Sequence, residues 1–334
     1  MAFNKSETIK SIGRDKLLDA LSRMLLIRNF ETRAEAGYLQ GKIGGFFHSY
    51  IGQEAIQVAA IDALGQDNWW VTSYRCHALA LLLGATPDEI MSELYGRANG
   101  NAKGRGGSMH LFTDRMLGGH GIVGGQIPIG TGAGFSLKYQ DIKDEISVTF
   151  LGDGAVPQGS FHESINLASL MNLPCLYVIE NNKWGMGTAF RRANSIEKLA
   201  EEKASGYGLK GYTYNGSDYF ECYEGFKKAK EEILSVGKPV LIEVICERFK
   251  GHSISDPGLY RSKDELKTCM ATNDPILLLK DTLIQNKWLT EDEFKEIDKK
   301  YREIAVSAMK HAEESPWPDV NTLEQDVFSP EDNS

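Results

Sequence analysis

Apolar residues recur at helical spacing in two early segments, residues 15–40 and 53–64, and each segment is predicted to form a helix. The glycines that follow the first segment break its pattern. A short apolar run at Trp69–Thr72 predicts a strand. The sequence Thr-Pro-Asp-Glu at 86–89 combines a capping residue, a proline at the first helical position and a glutamate that closes the capping box, so it predicts another helix start.

Glycine dominates the next part of the chain. Residues 96–134 hold 13 of the 34 glycines of the chain, without the regularity of a repeat. Because glycine lets the backbone turn tightly and approach a ligand closely, this segment is predicted to be a long functional loop.

Strand and helix patterns alternate after this segment. Apolar, β-branched runs at Ile146–Leu151, Cys175–Ile179 and Pro239–Cys246 predict buried strands. Helical patterns occupy residues 158–171 and 219–236. This alternation predicts an α/β fold, with a doubly wound parallel sheet and helices on both of its faces.

The rest of the chain is predicted to extend this single unit. We expect an N-terminal extension at 1–14, one domain at 15–320 and a tail at 321–334. The C-terminal part of the domain, residues 274–315, is predicted to form two helices that pack on its body or on a partner.

Composition narrows the function class. The 334 residues are 42% hydrophobic and carry a formal net charge of −9, so a basic nucleic-acid-binding face is not expected. The five cysteines are scattered and odd in number, which indicates reduced thiols. No apolar run approaches the ~20 residues of a membrane span, and no secretory signal opens the chain. We expect a cytoplasmic bacterial protein; a processed organellar chain is the alternative.

Two polar motifs follow two consecutive predicted strands. Asp153, flanked by two glycines, comes directly after the first strand, and the pair Asn181-Asn182 comes directly after the second, with twenty-six residues between the motifs. A strand, a crossover helix and a second strand of this length bring the two strand ends to one edge of the sheet. Carboxylate and amide oxygens suit Mg²⁺, and the helix starting near Gln158 adds a positive end for phosphate. The spacing predicts a site for a Mg²⁺-bound diphosphate.

These motifs form the signature of thiamine-diphosphate enzymes, and the similarity extends over residues 15–320. The chain resembles the alpha subunits of pyruvate dehydrogenases, members of the two-chain 2-oxoacid dehydrogenase family that share a thiamine-diphosphate-binding fold. The segments that carry the resemblance are FFHSYIGQEA (46–55), TSYRCH (72–77), KGRGGSMH (103–110), GIVGGQIPIGTGAG (121–134), LGDGAVPQG (151–159), ENNKWGMGT (180–188) and RFKGHSISDPGLYR (248–261).

The resemblance implies thiamine diphosphate and Mg²⁺ as cofactors and assigns the residues that would hold them. Asp153, Asn182 and the main-chain oxygen of Trp184 would ligate the metal. The main chain of Gly154 and Ala155 would contact the diphosphate. Further cofactor contacts are expected from Tyr74 and Arg75 to the diphosphate and from Gly121 and Val123 to the aminopyrimidine ring.

Two histidines receive catalytic roles from the same resemblance. His252, in the polar loop 248–261, would contact the diphosphate and assist reductive acylation of a lipoyl group, and His48 would lie near the substrate. The loop is expected to be mobile until cofactor binds.

The resemblance also bears on phosphorylation. Ser253 occupies a position that is phosphorylated in mitochondrial relatives, but a second serine that is phosphorylated in those relatives is missing here.

The resemblance also implies partners. In the family a separate pyrimidine-binding domain supplies the glutamate that activates the cofactor, and this chain is too short to contain that domain. A beta subunit is therefore expected, in an alpha-two beta-two heterotetramer that acts on a small 2-oxoacid and transfers acetyl groups to the lipoyl domain of dihydrolipoyl acetyltransferase. No nucleic-acid or membrane partner is expected.

Other functions remain open at this point. Within the class, acetoin dehydrogenase and branched-chain 2-oxoacid dehydrogenase are the alternatives to the pyruvate enzyme. From a different class, Gly130-Thr-Gly-Ala-Gly134 resembles a dinucleotide loop and favours a nicotinamide-dependent oxidoreductase, although it lacks the full motif. A non-catalytic structural subunit is a third possibility, which the intact metal signature disfavours.

Overall fold

A parallel sheet of six strands forms the centre of the molecule, in a computed structural model that describes residues 3–325. The sheet order is β2-β1-β3-β4-β8-β7, and every neighbouring pair is parallel. Strands β5 and β6 form a separate antiparallel pair. The strands are β1 Trp69–Ser73, β2 Met116–His120, β3 Ser147–Gly152, β4 Cys175–Asn181, β5 Trp184–Gly185, β6 Thr188–Ala189, β7 Lys210–Asn215 and β8 Val240–Ile245.

Helices connect and cover these strands. They are α1 Lys5–Ile12, α2 Arg14–Leu39, α3 Glu54–Leu64, α4 His77–Leu82, α5 Pro87–Leu94, α6 Gln126–Tyr139, α7 Gly159–Met171, α8 Phe190–Ala193, α9 Leu199–Gly206, α10 Tyr219–Val236, α11 Lys263–Thr272, α12 Pro275–Gln285 and α13 Glu291–Glu314.

The side chains of β4 show why the sheet is covered on both faces. Leu176 and Val178 point into a large core shared with α2, α3 and α10, whereas Cys175, Tyr177 and Ile179 point into a second core shared with α7 and α9. Since successive residues of a strand point to opposite faces, a continuous apolar run needs helices on both sides. The predicted doubly wound α/β fold is confirmed.

Local signals placed several elements correctly. The side chain of Thr86 accepts a hydrogen bond from the Glu89 amide, and the Glu89 carboxylate accepts one from the Thr86 amide, so the predicted capping box is present at the start of α5. The two helices predicted within 274–315 are α12 and α13, and both pack against α2.

The glycine-rich segment 96–134 is not one long loop, as predicted from its composition. It contains β2 and the first turns of α6. The helical glycines serve close packing: a Cβ on Gly130 would lie 1.9 Å from the Thr149 hydroxyl oxygen, and one on Gly134 would lie 2.2 Å from the Cys175 sulfur. Without side chains at these positions, α6 lies directly on the sheet.

The N-terminal segment predicted as an extension, residues 1–14, contains α1, whose Ile9 and Ile12 reach the larger core. Residues 1–2, and residues 326–334 of the predicted tail, lie outside the described part of the chain. The domain boundaries stay a prediction. All five cysteines are free thiols, four of them buried. Within residues 3–325, no helix is long and apolar enough to cross a membrane.

Candidate active site

One cavity of about 810 Å³ opens at the carboxyl ends of β1, β3 and β4. This edge of a parallel sheet is where ligands bind in doubly wound folds. The cavity brings together all of the site residues predicted from the sequence, namely His48, Tyr74, Arg75, Gly121, Val123, Asp153, Gly154, Ala155, Asn182, Trp184 and His252.

Asp153 and Asn182 meet because β3 and β4 are parallel neighbours, paired as far as Gly152 and Glu180. Asp153 is only 2% exposed, and burial raises the pKa of its carboxyl to about 6. The side chain of Asn182 donates to the Gln53 side-chain oxygen at 3.2 Å and accepts from the Trp184 amide at 3.3 Å. The arrangement provides one carboxylate and one amide oxygen, both hard ligands, at the cavity floor.

No cluster of three or more His, Cys, Asp or Glu side chains suited to a metal occurs within residues 3–325. A cation held here by Asp153 would therefore need neutral oxygen ligands and oxygens from a ligand. Mg²⁺ is commonly bound in this way, through one or two carboxylates completed by phosphate and water.

The backbone after β3 is open to the cavity. A Cβ on Gly152 would meet no atom within 4 Å, and one on Gly154 would approach only the Gly185 Cα, at 3.4 Å. Gly154 and Ala155 belong to a short 3₁₀ turn, and α7 begins four residues beyond Ala155 with Gln158 as its N-cap. Main-chain amides and a helix start at one place favour an anion.

Arg75 carries a positive charge into the cavity wall. Its guanidinium is almost fully buried, and burial lowers its pKa. It donates to the main-chain oxygen of Ser49 at 2.6 Å and to that of His252 at 2.7 Å. Arg75 therefore joins the segment of His48 to the loop of His252 and leaves further N–H groups for a ligand.

The two predicted catalytic histidines lie against each other and against Tyr74. The ring centroids of His48 and His252 are 5.0 Å apart, and that of Tyr74 is 4.3 Å from His48. Burial, followed by the charge of Arg75, lowers the pKa of His48 to about 2 and that of His252 to about 4. Both imidazoles are thus neutral at neutral pH, and the buried Nδ1 of His48 has no hydrogen-bond partner.

The loop predicted to be mobile, residues 248–261, is organised around one carboxylate. Asp256 accepts hydrogen bonds from the amides of His252 and Gly258 and from the Tyr260 hydroxyl. These bonds fix the position of the His252 backbone. They do not test how the loop moves when a ligand leaves, so its mobility stays a prediction.

Several cavity residues were missed by sequence reasoning. Gln53 and Gln126 each leave a buried side-chain atom unpaired, the Nε2 of Gln53 and the Oε1 of Gln126. Glu180 is buried beside Tyr50, which donates to it, and burial raises the pKa of Glu180 to about 7. The available signal was a single polar residue in an apolar run, as at Glu180 within β4.

Arg248 was also missed. It is 2% exposed and donates to the main-chain oxygens of Trp184, at 3.4 Å, and Met186, at 3.2 Å. Its charge lowers the pKa of Asp153, against the larger effect of burial. A charged residue three positions after the buried strand β8 was the signal in the sequence.

The rim of the cavity is apolar and exposed. Ile122 is 77% and Val123 45% exposed, and further exposed apolar side chains follow on α6 and α7, namely Ile129, Phe135, Leu167 and Leu170. The segment Gly130–Gly134, which resembles a dinucleotide loop in sequence, lies inside α6 and packs on the sheet. It therefore offers no loop for a dinucleotide.

Comparisons with known proteins agree with this geometry. The dehydrogenase E1 component family matches residues 22–321. The chain is 43% identical over 318 residues to the pyruvate dehydrogenase E1 component subunit alpha of Rickettsia felis, covering 94% of this chain and 96% of that one. It is 41% identical to the protein of the same name from Rhizobium meliloti, covering 96% and 92%. A mitochondrial relative of this name from Kluyveromyces lactis is 39% identical, covering 95% and 77%.

Proposed function

The chain belongs to the dehydrogenase E1 component family, and we propose that it is the alpha subunit of the decarboxylating component of pyruvate dehydrogenase. In this role it decarboxylates pyruvate and transfers the acetyl group, with reduction, to a lipoyl group. The observation that carries the proposal is the meeting of Asp153 and Asn182 at the floor of a cavity that also contains the paired histidines.

The cavity fits thiamine diphosphate and Mg²⁺ on three counts. The backbone at Gly152 is open, Asp153 and Asn182 supply hard oxygens, and buried polar atoms of His48, Gln53 and Gln126 lack protein partners. Buried polar atoms normally find a partner, and unpaired ones that line a cavity can find it in a ligand. When bound, the cofactor supplies the electron sink for loss of CO₂.

The residues that would hold these groups are those named from the sequence. Asp153, Asn182 and the Trp184 carbonyl would bind Mg²⁺. Arg248 donates to that carbonyl, which accepts through one lone pair and would have the other for a cation. The diphosphate would lie against Tyr74, Arg75, Gly154, Ala155 and His252, and the aminopyrimidine against Gly121 and Val123.

His252 and His48 are proposed to act on the substrate and on the lipoyl group. As neutral rings they each offer one N–H donor and one acceptor nitrogen. A negative diphosphate beside His252 would raise its pKa, because an opposite charge favours the protonated ring. His252 could then hold the proton that the reduced lipoyl sulfur requires.

The proposal requires a beta subunit. The carboxylates that line the cavity are Asp153 and Glu180, both at strand ends, so in the described part of the chain no other acid reaches this space. The exposed apolar rim at Ile122–Val123 and the apolar side chains on α6 and α7 suit a protein partner, because large apolar patches on a surface mark interfaces. We propose an alpha-two beta-two heterotetramer, with a lipoyl domain as the acceptor.

Pyruvate is favoured over acetoin and branched-chain 2-oxoacids because each of the relatives compared above is named for pyruvate. A pocket separates substrates that differ by one methylene by only ~1–3 kcal/mol, so the substrate must be measured.

The test reconstitutes this chain with its beta subunit and measures decarboxylation with an artificial electron acceptor. Pyruvate should be turned over only when both chains, Mg²⁺ and thiamine diphosphate are present, and acetoin and branched-chain 2-oxoacids should be poorer substrates. Calorimetry of the reconstituted enzyme should show binding of thiamine diphosphate and none of NAD. Turnover by this chain alone, or NAD binding without thiamine diphosphate binding, would refute the proposal.

A further inference from the structure

A buried pair of ionisable side chains, Glu31 and His77, lies behind the cavity wall. Both are fully buried, and neither lines the cavity. The Nδ1 of His77 lies 3.0 and 3.1 Å from the two carboxylate oxygens of Glu31. Since the pair does not reach the ligand space, any effect on the reaction must pass through neighbouring residues.

The hydrogen bonds of the pair define its protonation. The Nε2 of His77 lies 2.9 Å from the main-chain oxygen of Ser108, which can only accept, so this nitrogen carries a hydrogen. One proton remains for the contact between Nδ1 and the Glu31 carboxylate. Glu31 Oε1 also accepts from the Tyr50 amide at 3.1 Å, and every polar contact of the pair is therefore satisfied.

These bonds join three segments that line the cavity. Tyr50 belongs to the segment of His48, Ser108 precedes Met109 and His110, and His77 opens α4 immediately after Tyr74–Cys76. A second link closes the set, because the Ser108 hydroxyl donates to the Phe46 main-chain oxygen at 2.6 Å.

The pair also packs against the segment that contains His48 and Tyr50. The ring of Phe47 stacks on that of His77, with centroids 5.2 Å apart. Breaking a buried ion pair is costly, but replacing both partners by apolar groups of similar volume is often neutral or stabilising. Stability alone therefore does not explain a buried pair of ionisable side chains at this place, whereas only polar atoms can fix the backbones of Tyr50 and Ser108.

We propose that Glu31 and His77 are positioning residues: they hold the segments 46–50 and 106–110 in register with Tyr74 and Arg75, and so place His48 for the substrate. The consequence for catalysis rests on the proposed function above, whereas the consequence for the order of the two segments does not.

The experiment compares three variants of this chain, each reconstituted with its beta subunit. Glu31→Gln keeps the geometry, because the amide oxygen can accept from Tyr50 while the amide nitrogen donates to a neutral His77. The double variant Glu31→Leu/His77→Phe fills the same space without polar atoms. Asp62→Leu is the matched control: Asp62 is a partly buried carboxylate bonded to Arg23 and Tyr219, outside the cavity.

Two readouts are taken on each reconstituted enzyme, hydrogen exchange of amides 46–50 and 106–110, and kcat and KM for pyruvate. Glu31→Gln should stay within about threefold of the wild type in both. The double variant should fold, speed exchange at 46–50, where the Tyr50 amide loses its acceptor, at least ~100-fold, and lower kcat at least ~10-fold. The amides of Gly106 and Gly107 keep Glu93 as their acceptor and should change less. Asp62→Leu should lower the melting temperature but leave exchange in these segments unchanged.

Slow exchange at 46–50 in the double variant, or an equal loss of kcat in Glu31→Gln and the double variant, would overturn the proposal. Should the double variant not fold, Ser108→Ala removes one link of the network, the bond to Phe46, and should speed exchange at 46–50 by up to ~10-fold; unchanged exchange there would also overturn it. If the wild type does not turn over pyruvate, the proposed function fails, and the exchange data still decide the positioning role.

Discussion

Two glycine-rich regions of this molecule bury polar groups, and they do so in opposite ways. The first, the Glu93-centred loop (residues 96–107), wraps its backbone around one carboxylate. Glu93, fully buried on α5, accepts hydrogen bonds from the amides of Ala102, Gly104, Gly106 and Gly107, at 2.8, 2.9, 2.6 and 3.1 Å. The second region is the cavity, where the buried Nδ1 of His48, Nε2 of Gln53 and Oε1 of Gln126 have no partner.

This difference between the two regions separates a structural use of glycine from one that leaves room for a ligand. The Glu93-centred loop contains its own anion, and a Cβ on Gly100 would lie 2.2 Å from the Glu93 carboxylate, so the space is already filled. The cavity has the same kind of open backbone at Gly152 but no protein group against it. Glycines alone therefore do not mark a ligand site. Unpaired buried atoms alone do not mark one either, because Arg97 Nε and Asn101 Oδ1 of the Glu93-centred loop also lack partners. The cavity differs in having unpaired atoms beside open backbone that no protein group fills.

The largest expected effect comes from breaking the filled region. Glu93→Gln replaces an acceptor-only carboxylate by an amide whose nitrogen faces amide donors, so at least two partly buried N–H groups lose their partner. Each unpaired group costs ~1–3 kcal/mol, and we expect the free energy of unfolding to fall by about 4 kcal/mol. Urea denaturation of the purified chain measures this.

Glu293→Gln is the matched control, because glutamine also serves at this position of the exposed capping box of α13 and should cost under ~0.5 kcal/mol. Similar, small losses for Glu93→Gln and Glu293→Gln would show that the Glu93-centred loop does not depend on its carboxylate.

The cavity should behave in the reverse way, losing chemistry and not stability. In His252→Ala we expect transfer to the lipoyl domain to fall ~10²–10⁴-fold, because a positioned proton donor is worth about this much. Decarboxylation with an artificial acceptor should survive in part, since the cofactor carries that step. Both rates are measured across a titration of thiamine diphosphate.

His162→Ala is the control for His252→Ala, because His162 lies on α7 and bonds to Tyr207 outside the cavity. A parallel loss of both rates in His252→Ala that excess cofactor restores would reduce His252 to an anchor for the diphosphate.

A substitution at the proposed metal site tests the same contrast, and its effect should be smaller. Asp153→Asn removes the full charge of the proposed metal site, so Mg²⁺-dependent binding of thiamine diphosphate should weaken at least ~100-fold. The cofactor-free chain should lose no stability, because Asn places no unpaired charge at a buried position. Calorimetry and urea denaturation measure the two quantities on the same preparation.

Asp218→Asn serves as the control for Asp153→Asn, since Asp218 caps α10 outside the cavity and its change should leave cofactor binding intact. Unchanged cofactor affinity in Asp153→Asn would remove Asp153 from the metal site.

The parts of the fold that could be predicted from the sequence are those with a local signal. Elements with a local signal were placed within a few residues, as the capping box at Thr86 and the buried strand β4 show. Strand β7, with the sequence KGYTYN, was missed because it is a half-exposed edge strand without an apolar run. Strand β2 was missed because Gly118 and Gly119 favour a loop by composition.

The contacts of the site also include some that the sequence predicts and some that it does not. Asp153 and Asn182 could be brought together from the sequence because a strand, a helix and a strand fix their separation. Gln53 bonds to Asn182 across 129 positions of the chain, and Glu31 meets His77 across 46, and no local pattern encodes either contact. Such partners are set by the packing of α2 and α3 on the sheet, which only the structure shows.

The smallest expected effect is a pH dependence of stability caused by His48. Burial lowers its pKa from the ordinary value of 6.5 to about 2 in the folded chain. Below pH 6.5 the unfolded chain therefore takes up a proton that the folded chain does not, and stability falls as the pH falls. Between pH 7.5 and pH 6.0 this histidine should remove about 0.8 kcal/mol from the free energy of unfolding, and His48→Asn should abolish that part of the loss. Urea denaturation at both pH values gives the difference for wild type and variant, with His311→Asn, at an exposed histidine on α13, as control.

An identical pH dependence in the wild type and in His48→Asn would mean that His48 takes up a proton in the folded chain as readily as in the unfolded one. It would then be solvated or already paired, and the cavity would lose one of its three unpaired buried groups.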